Sequence, residues 1–389
     1  MAGGVRAVKV DHAHLVALVP APGGAIAWDA VLAALPALAE LATVPQDPIH
    51  HAEGDVLTHT KLVGAALVEL AAYRDASAER RLVLFLAAAL HDLAKATCTR
   101  TDDAGRVTSP GHSTRGAIDA RVLLWRAGVP LPLRERICRI IRHHQLPFFA
   151  IKGTRDGRSA EYLARTLSHE LSLLELTAVA EADIRGRRAP DVPAILDDIE
   201  LFREVARDEG CLDAPRPFAD DHTRFTYVHG GGAIAPDYPF FQPPGSKVIV
   251  MSGLPASGKN TWVAAHGGGL PVISYDDARE ELGLAHGDDM GAAVHLAVDR
   301  AKELLRRRAP FVWNATHLST QMRGKALALL QRYDAEVEIV YTECGERELK
   351  RRNAARDTTL TYAGIERMLG RWEVPVPGEA HRVRYVISG

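Results

Sequence analysis

The sequence predicts a multidomain chain, an all-α half followed by an α/β half with a parallel sheet, and three observations lead there. The chain has 389 residues, which exceeds one ordinary hydrophobic core and suits two domains of about 150 to 200 residues. Residues 57–206 space apolar side chains at helical intervals, as in Leu62, Val63, Ala66, Leu67 and Leu70 and again over 84–93. From Ser246 onward, strand-like and helix-like segments alternate, beginning with the buried-strand run Lys247, Val248, Ile249, Val250, Met251. Between the halves, Pro- and Gly-dense sequence breaks both patterns. Its aromatic residues Phe225, Tyr227, Tyr238, Phe240 and Phe241 suit either a plain linker or a segment packed on a surface. The expected division is 1–212, an intervening 213–245, and 246–389.

Composition agrees with compact, helix-rich folding: 47% hydrophobic and 25% charged, with much Ala, Leu and Arg. The net charge of −2 excludes a global field built for nucleic acid, so any polyanion must be held by local clusters such as residues 347–356. Cys98, Cys138, Cys211 and Cys344 are far apart and form no CxxC pair; neither a disulfide framework nor a zinc ribbon is indicated, and a reducing cytoplasm fits. No stretch approaches the ~18 apolar residues of a membrane span, and the N-terminal segment lacks a basic start followed by an apolar run. The expectation is a cytoplasmic protein without membrane contact.

In the first half, helical segments set His and Asp on stripes that are otherwise apolar. His59 aligns with Val63, Ala66 and Leu70; Asp183 aligns with Leu176, Val179 and Ala180. A lone buried charge costs several kcal/mol and needs a partner or a cation. The expected helix over 82–96 carries His91 and Asp92 in LAAALHDLAKA, behind a run too apolar for a solvated face. His112 in SPGHSTRGA and the doublet His143, His144 in CRIIRHHQLP complete the order H, HD, H, HH, D. Mixed imidazole and carboxylate donors suit Mn²⁺, Co²⁺, Ni²⁺, Fe²⁺ or Zn²⁺. Asp92 is placed to bridge two ions, which together activate water and clamp phosphoryl oxygens.

These stretches, with TVPQDPIHHAEGDVLTHT and AEADIRGR, resemble the HD phosphohydrolase superfamily, and over residues 43–188 the HD domain attached to bacterial CCA-adding tRNA nucleotidyltransferases. The resemblance implies 2′,3′-cyclic phosphodiesterase, 2′-nucleotidase and phosphatase activity on RNA ends or nucleotides. It also implies that His59, His91, Asp92 and Asp183 hold a first metal and that His112 with His143 and His144 hold a second. The tRNA-enzyme pattern has one His at the doublet, at the position of His144. Lys95, one turn after Asp92, matches a frequent family lysine that meets a substrate phosphate, or else is a solvated helix lysine.

In the second half, the strand Lys247 to Met251 runs into Gly253-Leu-Pro-Ala-Ser257-Gly258-Lys259-Asn260-Thr261 and a helical WVAAH. Glycines let backbone N–H groups face phosphates, and Lys259 reaches the β and γ oxygens of a nucleoside triphosphate, ATP or another NTP. Asn260 stands where a Ser or Thr is usual, so a Mg²⁺ or Mn²⁺ ligand there would be an amide carbonyl, a water or the Thr261 hydroxyl. A second strand over 271–275 ends in Asp276, Asp277 and Arg279. A third, over 310–317, brings Asn314 and Thr316 to the same edge without the carboxylate of an ATPase motor. Residues 345–371 read as a basic helical pair in which Arg352 and Arg356 share a face and can close over ATP.

GLPASGKNTW, YDDAR and RNAAR resemble the kinase module of phage and bacterial 5′-hydroxyl polynucleotide kinases. That resemblance implies Asp276 as the general base, with Asp277 as rival, and Arg279 on the phosphate 3′ to the acceptor hydroxyl. Lys259, Arg352 and Arg356 would sit on the migrating phosphoryl group. The whole layout resembles the bacterial HD-Pnk family of bifunctional RNA end-healing enzymes. This implies nucleic-acid ends, RNA or DNA, as substrate, an RNA ligase as functional partner, and leaves room for a homodimer. Two other readings stay open: a nucleoside or metabolite kinase fused to a nucleotide hydrolase, and an ATP sensor that gates the HD domain.

Overall fold

A computed structural model describes residues 10–154, 157–284, 290–356 and 360–388. The chain divides into two compact units, one through Arg216 and one from Pro217. In the first, α1 (His12–Ala17) and α2 (Trp28–Ala34) precede a 3₁₀ segment (Pro36–Thr43) and α3 (Val56–Glu69). Then come α4 (Ala71–Arg74), α5 (Ala78–Leu90) and α6 (Lys95–Cys98). A small antiparallel ribbon, β1 (Arg100–Thr101) with β2 (Val107–Thr108), leads to α7 (His112–Arg126), α8 (Leu131–His143), α9 (Ala160–Leu167), α10 (Leu173–Arg185) and α11 (Val192–Asp208).

Local chemistry starts these helices: Asp55, Ser77, Ser159 and Ser172 each accept a first-turn N–H of α3, α5, α9 and α10, a cap worth about 1 kcal/mol. Every residue of α5 from Leu82 on is buried. A helix apolar on all sides belongs at the centre, and α3, α8 and α10 pack around it.

The helix expected over 82–96 does not continue. α5 stops at Leu90, a turn occupies 91–94, and the short α6 begins at Lys95. Across this turn His91 Nε2 and Asp92 Oδ2 lie 3.1 Å apart.

Gly186, just past α10, has a second spatial role. A Cβ there would lie 2.7 Å from Val63 Cγ2 and 2.9 Å from Val63 N, so α10 meets α3 backbone to backbone. Asp183 and His59, one turn earlier on their helices, are thereby brought into contact. Gly186→Ala should strain this packing by about 1–3 kcal/mol. Thermal unfolding should show a loss of roughly 2–4 °C per kcal/mol; an unchanged melting temperature would refute the close approach.

The second unit carries α12 (Asp221–His229), β3 (Lys247–Ser252), α13 (Lys259–His266), β4 (Val272–Ser274), α14 (Tyr275–Glu281), α15 (Gly291–Arg306), β5 (Phe311–Asn314), α16 (Thr320–Gln331), β6 (Glu336–Cys344), α17 (Glu346–Ala354), α18 (Tyr362–Leu369) and β7 (Arg382–Ser388). The strands form one parallel sheet in the order β4-β5-β3-β6-β7. Along β3, Val248 and Val250 join one apolar cluster with Ile273, Phe311 and Trp313, while Met251 joins another with Trp262, Val312 and Val340. That is the two-sided burial of a parallel strand. The chain leaves β3 for β4 on one side and later returns for β6 on the other, so the carboxyl end of β3 is a topological switch point, where α/β folds bind ligands.

The stretch between the halves contains α12, which packs within the second unit. Phe225 is buried and stacks on His381 with centroids 4.3 Å apart, and Arg224 Nη2 donates to the His381 carbonyl at 2.7 Å. Phe240 N–H donates to Thr223 Oγ1 at 2.9 Å, whereas Tyr238 and Phe241 are exposed.

The His381 ring has a fixed tautomer. Its Nδ1 accepts the Val337 N–H at 3.1 Å, so its proton is on Nε2, which faces His222 Nδ1 at 3.1 Å. Burial first, then His222, with Arg224 and His229 adding and Asp221 opposing, pushes the His381 imidazole down to about 4. An unfolded imidazole titrates near 6.5. Between those values the unfolded chain binds a proton that the folded chain refuses. This contribution is whole above pH 6.5, falls on acidification through that window and levels off near 4, on the order of 3 kcal/mol. His381→Asn keeps an acceptor for Val337 and should flatten the melting-temperature slope between pH 7 and 4.5; an equal slope in both proteins would refute it.

Candidate functional site

In the first unit, α3, the 91–94 turn, the start of α7, the end of α8 and α10 deliver His59, His91, Asp92, His112, His144 and Asp183 to one buried point; each of the six is at most 6% exposed. Asp92 is the hub. Its Oδ2 lies 3.1 Å from His91 Nε2 and 3.9 Å from His59 Nε2. Its Oδ1 lies 3.3 Å from His112 Nε2 and 4.0 Å from His144 Nε2. Asp183 Oδ1 is 3.1 Å from His59 Nε2. The two oxygens of one carboxylate thus face two separate groups of imidazoles.

Three of these rings are locked in the same sense. Nδ1 of His91, His112 and His144 contacts the carbonyl of Ala88, Ser109 and Ile141 at 2.8, 2.7 and 2.8 Å. A carbonyl only accepts, so Nδ1 carries the proton and in the neutral ring Nε2 presents a bare lone pair to Asp92. Burial, reinforced by His91 and His112, pushes His144 down to about 3, and burial also lowers His112. Burial opposes ionisation of Asp92, yet His91 and the Lys95 ammonium hold it well below the usual carboxylate range. Asp183 is likewise held low against burial, chiefly by Arg187, which donates to it from Nε and Nη2 at 3.1 Å each. His59 is raised, because Asp183 and Glu53 outweigh its burial.

His91 Nε2, Asp92 Oδ1 and His144 Nε2 are buried without a hydrogen-bond partner. Buried polar atoms are rarely left so, and bare imidazole nitrogens around a shared carboxylate are what a divalent ion requires. Two sets, one of His59, His91 and Asp183 and the other of His91, Asp92 and His144, each bring ligand atoms within 4.8 Å of one another.

His143 is the correction. It points away, with Nε2 3.6 Å from Glu170 Oε2, because neighbours at a helix end diverge by about 100°; only His144 of the doublet reaches the centre. Lys95 is no solvated lysine. It is 7% exposed, and its Nζ lies 2.8 Å from Asp92 Oδ2 and donates to Gln46 Oε1 at 2.9 Å. Sequence reasoning missed Gln46, Glu53 and Arg187; PQ before the HHAEGD run and the Arg four residues after Asp183 were the available signals.

In the second unit a cavity of about 970 Å³ lies at the carboxyl end of β3, lined among others by Lys259, Asp276, Asp277, Asn314, Arg352 and Arg356. The loop is built on glycines. Gly253 has φ +138°, and a Cβ there would run into the Thr342 carbonyl; Gly258 has φ +110° and precedes α13. Ser257 Oγ bonds Thr342 Oγ1 at 2.7 Å. Lys259 Nζ donates to the carbonyls of Gly253 and Leu254 at 2.9 and 2.8 Å. Burial and nearby Arg356, against Asp276, push its ammonium down to about 7. Arg352 is oriented by Glu348 Oε1 at 2.6 Å and donates to the Ser257 carbonyl at 3.3 Å.

The expected second strand ends sooner than its pattern. Tyr275 opens α14, so Asp276 and Asp277 occupy a first helical turn, where Ser274 Oγ accepts their N–H groups at 3.1 and 3.3 Å. Both acids line the cavity, as do Asn260 and Thr261. Arg279 stands beside Asp276, Nη1 to Oδ1 3.9 Å. Asn260 Oδ1 accepts the Asn314 amide at 2.9 Å, which occupies one of its two lone pairs. Residues 357–359 of the expected lid lie outside the described residues.

With that geometry in hand, likeness to known proteins is informative. Residues 56–185 match the HD domain family. Residues 248–375 match a family described as AAA domain. The chain therefore joins a mostly helical HD domain to a P-loop domain with a parallel sheet. Over 205 residues, 53% of this chain, it is 30% identical to a multifunctional CCA protein of Halorhodospira halophila (strain DSM 244 / SL1), and the match spans 37% of that relative's length. A gluconokinase from Sinorhizobium meliloti 1021 is 22% identical, covering 37% of this chain and 82% of its own, with a TM-score of 0.27. No helix among the described residues is long and apolar enough to cross a membrane.

Proposed function

We propose that the chain heals broken RNA ends, removing a 2′,3′-cyclic or 2′-phosphate with its HD domain and phosphorylating a 5′-hydroxyl with its kinase-like domain. The observation that carries the first half is Asp92, whose two oxygens face two groups of imidazole nitrogens, of which His91 Nε2 and His144 Nε2 are buried without a hydrogen-bond partner. His59, His91, Asp92 and Asp183 would hold one divalent ion, and Asp92, His112 and His144 a second. Such a pair supplies an activated water and a clamp on phosphoryl oxygens. The chain's own residues do the rest: Arg187 fixes Asp183, Gln46 fixes Lys95, and the Lys95 ammonium stands where a substrate phosphate meets positive charge. The likeness of this half to a multifunctional CCA protein supports an RNA-end or nucleotide phosphoester.

For the second half, Lys259, Arg352 and Arg356 share a cavity wall with Asp276. Phosphoryl transfer passes through a loose, charge-rich transition state, so cations in a sheltered site stabilise it. Asp276 would take the proton of the attacking hydroxyl, and Mg²⁺ or Mn²⁺ would neutralise the donor phosphates. Arg279 would act on the acceptor through Asp276 and the adjoining phosphate. An RNA ligase would consume the product.

The test is transfer from γ-labelled ATP to 5′-hydroxyl RNA and DNA oligonucleotides, alongside release of phosphate from RNA ending in a 2′-phosphate. Label on the oligonucleotide supports the proposal. Label only on nucleosides or other small alcohols would replace it with a metabolite kinase, and no transfer at all with an ATP sensor.

A further inference from the structure

The bare-nitrogen geometry of His91, His112 and His144 comes from backbone carbonyls three residues earlier. His59 has no such resource. It lies inside α3, where its own N–H already bonds the Asp55 carbonyl and the neighbouring carbonyls serve the helix. Its ring therefore needs an anchor from elsewhere.

Glu53 occupies that position. Its side chain is fully buried, its Oε1 lies 2.9 Å from His59 Nδ1 and accepts from His51 Nδ1 at 2.8 Å, and its Oε2 accepts the Arg188 N–H at 2.9 Å. Gly54, at φ +115°, and the Asp55 cap of α3 fix the turn that carries it. His51 closes over the carboxylate, with its ring edge-on to His59 at 4.9 Å. Two donors, His51 Nδ1 and the Arg188 N–H, hydrogen-bond this buried carboxylate, and His59 Nδ1, buried and with no hydrogen-bond partner, stands 2.9 Å from it, so Glu53 is its nearest acceptor.

We propose that Glu53 is a positioning residue for the metal centre: it keeps the proton on His59 Nδ1, so that Nε2, directed at Asp92 and Asp183, is the metal-binding atom. This rests on the two-metal reading above. Carboxylate partners of ligating imidazoles fix ring orientation and raise ligand basicity, and their loss weakens metal affinity about 10–100-fold.

The experiment titrates Mn²⁺ into metal-stripped, full-length protein and compares wild type with Glu53→Gln. The variant should bind at least one Mn²⁺ about 10–100-fold more weakly, with its metal-activation midpoint for phosphoester hydrolysis displaced equally. Excess Mn²⁺ should restore most of the rate, and the melting temperature of the metal-free protein should not fall in proportion. A merely structural role would lower the melting temperature and leave affinity per folded molecule intact. Equal affinity in the two proteins overturns the inference. A wild type that binds no Mn²⁺ overturns the two-metal reading itself. Should the variant not fold, ¹⁵N NMR of Zn²⁺-loaded wild type decides: metal on His59 Nε2 with the proton on Nδ1 is expected, and metal on Nδ1 overturns it.

Discussion

Asp92→Asn should lower phosphoester hydrolysis about 10³-fold or more and leave ATP-dependent transfer intact. Asparagine has nearly the same shape, so α5 and the 91–94 turn can keep their packing. What changes is charge and donor sense. Asp92 sets one oxygen toward His91, His59 and Lys95 and the other toward His112 and His144. An amide has one N–H₂ end. Turned toward His112 and His144, it sets a donor against nitrogens that should bind metal; turned the other way, it opposes the Lys95 ammonium. Either way the shared carboxylate is gone, and metal analysis should find the bound ions reduced. The check is steady-state hydrolysis of an RNA 2′-phosphate at saturating Mn²⁺, after thermal unfolding has shown the variant to be folded. Activity within about tenfold of wild type would remove Asp92 from the centre of the mechanism.

The readable part of this centre was the buried part. His59 and Asp183 announced themselves because a polar residue on an apolar helical stripe is costly without a partner, and the structure brings the two within 3.1 Å. The doublet could not be resolved that way. Both histidines follow the same apolar segment, and only the end of α8 decides that His143 turns to Glu170. Nor could the break in the helix after Leu90 be read, since LAAALHDLAKA is dominated by good helix formers on both sides of His91 and Asp92, with no Gly or Pro to mark a stop.

Gln46 and Glu53 were harder to read for a different reason: Gln46 works by contact with the distant Lys95 and Glu53 is held by the distant Arg188 N–H, and such pairings leave no local period. Arg187 follows Asp183 by one helical turn and bonds it directly, so its spacing was a readable signal. In the second half, the glycine loop carried its own geometry, because φ values of +138° and +110° at Gly253 and Gly258 demand glycine. β6 and β7 had only alternation to mark them. β7 is an edge strand with Arg382 and Arg384 exposed against Glu336 and Glu338 of β6, and such a surface resembles a loop until its partner strand is known.

Asp276→Asn should lower kinase turnover by about 10²–10⁴-fold, while Asp277→Asn should stay within about tenfold of wild type. The two acids share a cap, Ser274 Oγ, and both line the cavity, so burial and hydrogen bonding do not separate them. Charge does. Asp276 is the acid that opposes the lowering of the Lys259 ammonium, and it has Arg279 at 3.9 Å; on the proposed reading it would be the carboxylate on the side of the transferring phosphate. A base must stand within hydrogen-bond reach of the attacking hydroxyl and near the phosphorus it attacks; sharing the cavity with Lys259 is what makes Asp276 the candidate. Asparagine preserves the volume and the cap but cannot take a proton. ATP affinity should therefore be unchanged in Asp276→Asn, with the loss confined to turnover on a 5′-hydroxyl acceptor. A variant that loses ATP binding instead would make Asp276 a structural support of the loop. An inactive Asp277→Asn beside an active Asp276→Asn would exchange the two roles.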